Sequence, residues 1–210
     1  MILGYFSLIF GLFFLLALIV LHFLKREINA STSLITDYKL GEYGWLMQAA
    51  FFSFAVSLLF ALIAMWPTLF SGGGAISRWL FLVIVLSLIG VGVFKAESLN
   101  QRNQNLYDQL ESLCGAIVVF AFPLAASLAV SSLVTNPFWA PAKGWLIVGV
   151  VLCWLGLLAY VGNLLSTRVK RLTTSLAFLA RIGKGWLNRL NGLTYLFWLL
   201  VVALSAIKYL

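Results

Sequence analysis

The chain has 210 residues, of which 63% are hydrophobic and 10% charged, with a formal net charge of +8 and a mean hydropathy of +1.05. Soluble globular domains carry about 25% charged residues, so a water-soluble fold is excluded. Excluded with it is the basic stripe on a soluble domain that nucleic-acid binding requires, and no nucleic-acid partner is expected.

A membrane crossing needs about 20 apolar residues, because a helix rises ~1.5 Å per residue and the hydrocarbon core is about 30 Å thick. Six runs qualify, near 2–24, 44–66, 78–94, 113–134, 145–165 and 192–207. The expected fold class is all-α: one polytopic helical bundle of six transmembrane helices, a single integral-membrane domain over residues 1–210. The charges then sort to one side. Loop 25–43 carries Lys25, Arg26 and Lys39, loop 95–112 carries Lys95 and Arg102, and loop 166–191 carries Arg168, Lys170, Arg171, Arg181, Lys184 and Arg189. The opposite side holds only Arg78, Lys143 and Lys208. Loops rich in Lys and Arg are retained in the cytoplasm, so these three loops are expected there and both termini outside.

Span one lacks a basic n-region and a small-residue cleavage site before Lys25-Arg26, and it is expected to stay as a reverse anchor. The corner leading to span two holds Asp37, Tyr38, Glu42, Tyr43, Trp45 and Gln48. Gly41 and Gly44 allow tight turns there, Tyr43 and Trp45 suit the headgroup level, and Asp37 or Glu42 is expected to cap the helix start. As a headgroup-binding site it would use Asp37, Tyr38, Glu42 and Gln48. Span two carries Ala49, Ser53, Ser57 and Ala61 at steps of four, a small-residue seam for a close neighbour. The triple glycine Gly72-Gly73-Gly74 and the segment 135–141 read as outside turns.

Leu99, Leu106, Leu110 and Leu113 suggest that helix four begins before its membrane span. Within that span Pro123 predicts a kink whose freed carbonyl is satisfied by a neighbouring helix or serine. Span five repeats the small-residue device with Gly149 and Gly156. Aromatics near the span ends, among them Trp66, Trp79, Trp139, Trp145, Trp186 and Tyr195, read as interface anchors. Segment 168–190 alternates an apolar stripe with Lys170, Arg171, Arg181, Lys184 and Arg189, the pattern of an amphipathic cytoplasmic helix lying in the interface. Lys170, Arg171, Phe178, Arg181, Lys184 and Trp186 are its candidate lipid- or partner-binding residues. Anionic lipids attract such a face by about 1 kcal/mol per Lys or Arg.

The acidic residues Glu27, Asp37, Glu42, Glu97, Asp108 and Glu111 all share a side with His22, the one histidine. If the chain were an enzyme, His22, Asp37, Glu42, Glu97 and Asp108 would form its cluster, acting on a lipid headgroup or relaying protons. Zinc catalysis wants two or three His or Cys ligands, and Cys114 and Cys153 lie at different depths in spans four and five. Neither a metal nor another cofactor is expected, and core packing is the reading for both cysteines.

The segment Asp37-Tyr38-Lys39-Leu40-Gly41-Glu42-Tyr43-Gly44-Trp45-Leu46-Met47 resembles a prokaryotic six-span membrane family catalogued as domain of unknown function 998. The closing stretch, with Gly192-Leu193 and Phe197-Trp198-Leu199-Leu200, is similar to that family's last helix. The resemblance implies a six-span fold over the whole chain in a prokaryotic inner (plasma) membrane and supplies no activity. The family's Phe-Pro-Thr-Asp-like motif and its helix-four histidine are replaced here by Phe94-Lys95-Ala96-Glu97 and Leu106-Tyr107-Asp108-Gln109-Leu110.

The membrane interior holds no charge pair at midplane and no repeat of the kind transporters show, which ranks a small transporter or lipid carrier last. A non-catalytic accessory or scaffold subunit of a larger membrane assembly, an energy-transducing one included, ranks first. A lipid-handling enzyme on the cytoplasmic face is the alternative. The expected partners are membrane lipids, anionic ones above all, and other membrane protein subunits.

Overall fold

Within hydrocarbon the backbone amides and carbonyls have no water to bond and must bond one another, so each apolar run closes into a helix. In the computed structural model, which describes residues 1–70, 72–94, 106–168 and 183–209, the helices are α1 (Ile2–Leu24), α2 (Gly44–Met65), α3 (Gly72–Val93), α4 (Leu106–Leu133), α5 (Lys143–Arg168) and α6 (Lys184–Tyr209). Short 3-10 turns stand at Ile35–Lys39, Trp66–Thr68 and Ala140–Ala142. Each of the six helices is long and apolar enough to cross a membrane, the architecture of a multi-pass membrane protein.

Two helix starts differ from the sequence reading. Helix α3 begins at Gly72, so the triple glycine is its first turn and not a loop. A Cβ at Gly74 would stand 3.1 Å from Leu69 Cα and from Ser132 Cβ of α4, so tight packing, which only glycine permits, sets this start against its poor helix propensity. Helix α6 begins at Lys184, which makes residues 184–190 the first two turns of the last helix and not the end of a separate interfacial one. The rest of that segment, with Lys170, Arg171, Phe178 and Arg181, lies outside the described residues, as does Glu97.

Helices α2 and α6 form the centre, 61% and 56% of their apolar windows being buried, whereas α1 and α5 are 28% buried and face outward. Helix α1 packs across both central helices, the α3–α4 pair lies against α2, and α5 lies against α6. The seam on α2 meets α1. Ser57 Oγ donates to Ser7 O at 2.6 Å and Ser53 Oγ to Phe10 O at 2.7 Å. Interhelical hydrogen bonds of this kind contribute only about 0.6 kcal/mol each in membranes, so the close backbone approach that small side chains permit matters more than the bonds. On α5, Gly149 receives Trp198 of α6, with a built Cβ 2.8 Å from its Cδ1, and Gly156 receives Asn191 and Thr194.

Pro123 removes the amide that would bond Val119 O in α4. The hydroxyl of Tyr195 on α6 donates to that oxygen at 2.6 Å, while Ser127 Oγ bonds Pro123 O at 2.7 Å. Tyr195 is therefore an interior residue, 2% exposed and stacked on Phe122 at 4.4 Å, and not the interface anchor its position suggested. Trp139, expected at the interface too, is 1% exposed and donates Nε1–H to Thr68 Oγ1 at 3.1 Å. Trp45, Trp79, Trp145 and Trp186 are exposed at helix ends, as their amphipathic rings require.

Tyr195→Phe leaves the Val119 carbonyl without a donor in an apolar interior, and a loss of about 1–3 kcal/mol is expected in thermal unfolding of the detergent-solubilised protein. In a Pro123→Ala background, where the helix supplies its own amide, that loss shrinks. Equal losses in both backgrounds would show that the hydroxyl serves something other than the proline's vacancy.

Candidate functional site at the charged end of the bundle

At one end of the bundle residues 25–43 form a strap laid across the ends of α3, α4 and α6. The strap has little regular structure, so its backbone groups need side-chain partners. Three cations serve that need from inside.

Lys39, 1% exposed, places Nζ 2.6 Å from Val91 O and 2.6 Å from Phe94 O, the carbonyls that α3 leaves open at its C-terminus. The same ammonium pairs with Glu111 Oε1 of α4 at 3.0 Å, and Glu111 is 4% exposed. One side chain thus ties the strap, the end of α3 and the first turns of α4. A cation at a helix C-terminus also meets the negative end of the helix dipole. Lys25, 2% exposed at the end of α1, donates to Tyr38 O at 3.0 Å and to Leu40 O. Arg189 reaches up from α6, its Nη1 shared among Ala30 O at 2.8 Å, Ser33 O at 2.9 Å and Gly185 O at 2.9 Å. Its guanidinium lies over the rings of Tyr38, at 5.1 Å, and Trp186, at 5.9 Å.

Glycine makes these approaches possible. Gly185 runs against Ala30 O and Ser33 O with no room for a Cβ, and its amide donates to Ser31 O at 2.9 Å. Gly44 lies likewise against Lys39 O, and the turn before it holds Gly41 at φ +68° and Tyr43 at φ +59°. The strap is pinned further by Asn188 Oδ1, which accepts the Ile35 amide at 3.0 Å.

The candidate residues of the sequence reading divide accordingly. Of the corner residues, Asp37 and Tyr38 are buried in the strap, Glu42, Tyr43 and Trp45 are exposed, and Gln48 turns to Gly92 O at 3.1 Å, so the six do not converge on one headgroup site. The capping expectation also fails. Asp37 Oδ2 accepts the Leu34 amide at 2.7 Å and so closes the 3-10 turn, while α2 starts from Tyr43 with no side-chain cap. Of the candidate catalytic residues, His22 Nδ1 bonds the Tyr38 hydroxyl at 3.2 Å, Asp37 is buried in the strap next to that tyrosine, Asp108 is buried at the start of α4, Glu42 is exposed, and Glu97 lies outside the described residues. No group of three or more His, Cys, Asp or Glu that could hold a metal occurs among the described residues. Sequence reasoning missed Lys25 and Lys39 as interior residues and Arg189 as a half-buried anchor of the strap, because a loop cation reads as a solvated topology signal.

Openings lined in part by strap residues lie beneath it. A groove of about 400 Å³ separates the inner halves of α1 and α6, walled by Leu15, Leu18, Ile19 and Leu193 and ending at His22, Tyr38, Trp186 and Arg189. A smaller cavity of about 90 Å³ lies in the bundle beside Val119 and Tyr195, and its walls include Thr36, Asn188 and Asn191. The first is apolar along the helices, with Arg189 of α6 at the end nearest the strap.

No protein-family model, no curated protein and no solved structure matches this chain.

Replacing Lys39 by Met removes the ammonium that pairs with the buried Glu111 carboxylate, and a destabilisation of about 3–5 kcal/mol is expected from loss of one partner of a buried pair. The double variant Lys39→Met/Glu111→Leu recovers much of that loss, though the open carbonyls of α3 remain. Thermal unfolding of the two variants in one detergent measures the difference; a double variant no better than the single would place the effect on the carbonyls and not on the pair.

Proposed function

We propose that this chain is a non-catalytic membrane protein, an accessory or scaffold subunit that carries a rigid cytoplasmic cap in a prokaryotic plasma membrane. The observation that carries this reading is the use of the charged side chains. Lys25, Lys39, Arg189, Glu111 and Asp37 are bonded to backbone groups or to each other, so they hold the strap in one shape. Catalysis at this end would need an acid or base positioned toward a substrate. A subunit that presents a fixed surface to neighbours needs the opposite, charges locked inside. The cytoplasmic placement of the strap follows from its Lys and Arg content. Likeness of residues 37–47 to a prokaryotic six-span family belongs to the same proposal.

Purification of the tagged native protein in a mild detergent, followed by native gel and identification of co-migrating chains, is expected to return stoichiometric membrane protein partners. A lone monomer or homo-oligomer would sink the accessory reading. For the topology, single cysteines at the exposed positions Glu27 and Thr135, in a background lacking Cys114 and Cys153, are expected to label from opposite sides, Glu27→Cys from the cytoplasm. Labelling of Glu27→Cys from outside would reverse the orientation.

One observation favours a second reading, a lipid-handling enzyme: the groove between α1 and α6 ends at His22. Under the accessory reading His22→Ala leaves assembly and cellular function unchanged. Loss of function with the assembly intact would make His22 a catalytic residue.

A further inference from the structure

Helices α1 and α6 touch closely at their outer halves. A Cβ at Gly4 would lie 2.7 Å from Ala203 O, and one at Gly11 would lie 3.3 Å from Leu196 Cδ1. Toward the charged end no glycine of α1 continues this approach, and the groove of about 400 Å³ opens there. Its walls are apolar, and no Asp or Glu is among the described residues that line it. At its mouth stand His22, whose ring lies 5.9 Å from Trp186, and Arg189.

Arg189 is the informative residue. Its hydrogen-bond partners are three carbonyl oxygens and its other neighbours are aromatic rings, so its charge is stabilised but not neutralised. Among the described residues no carboxylate is within ion-pair distance of it, and Nη2 is buried with no acceptor. A guanidinium in this state at a membrane face attracts an anion, and phosphate suits its fork of donors. Trp186, half exposed beside it, marks the depth at which headgroups lie.

We infer that this groove holds one acyl chain of an anionic phospholipid, with the headgroup phosphate at His22 and Arg189. The chain itself gains little, since lipid tails are as apolar as the groove walls. Selection rests on charge, so an anionic lipid is retained and a zwitterionic one of the same chain length is not. The inference goes beyond the accessory reading and does not depend on it: a monomer that carries the lipid would overturn that reading and leave this one standing.

The test is native mass spectrometry of the full chain after extraction from vesicles of equal parts phosphatidylglycerol and phosphatidylcholine with matched chains. Wild type is expected to retain one phosphatidylglycerol. Ile19→Trp fills the groove from its exposed wall and is expected to abolish retention, with the circular dichroism of the helices unchanged. Arg189→Gln is expected to lower the preference for phosphatidylglycerol about tenfold or more; should it fail to fold, Ile19→Trp decides alone. Equal retention of both lipids, undiminished retention in Ile19→Trp, or a wild-type protein that carries no lipid would each overturn the inference. A protein helix seated in the groove in place of lipid, seen as a stoichiometric partner lost in Ile19→Trp, would do so too.

Discussion

The ammonium of Lys39 is the interaction on which the charged end depends. It brings three acceptors, Val91 O, Phe94 O and Glu111 Oε1, to the three hydrogens a lysine can donate. A helix end, a helix start and a loop thereby converge on one buried nitrogen. Desolvating a charge costs several kcal/mol, and only a complete set of partners offsets that. The site is consequently all-or-none: a strap that moved away would leave both a bare cation and open carbonyls.

The same requirement recurs wherever the helices break. Pro123 opens Val119 O and Tyr195 fills it; the strap opens Ala30 O and Ser33 O and Arg189 fills them; Lys25 does the same for Tyr38 O. Each repair comes from another element, so each also fixes how two elements sit. In a bilayer, where association of helices gains nothing from the hydrophobic effect, such repairs and the small-residue contacts of α1 with α2 and α5 with α6 give the bundle its specific arrangement. At the opposite end Arg78 is held by the rings of Trp66, at 4.8 Å, and Phe70, at 4.7 Å, a cation–π arrangement in place of ion pairing.

A cap built in this way uses its charges on its own backbone, and the groove between α1 and α6 lies beside it. At the groove mouth the charge of Arg189 meets carbonyls and rings among the described residues, and it is on this residue that the inferred anionic lipid depends. Arg189 both anchors the strap and lines the groove, so under that inference stability and lipid retention are linked through one residue.

The six helices were legible from the apolar runs because length and hydropathy reflect bilayer thickness, a constraint that acts on each segment alone. Local chemistry also pointed correctly to the seam on α2, to glycine packing on α5 and to a donor for the proline's vacant carbonyl. The identity of that donor was not legible, because Tyr195 at the inner part of the last run looks like any interfacial tyrosine until α6 is placed against α4. The Gly72 start of α3 and the Lys184 start of α6 escaped for the same reason: each is set by contacts with residues distant in the chain. Sequence by itself determined the fold class, six apolar helices long enough to span a membrane. Only the tertiary structure decided that Lys25 and Lys39 turn inward and that His22 meets a tyrosine, because the partners these side chains meet belong to the strap and to helix ends brought together by packing.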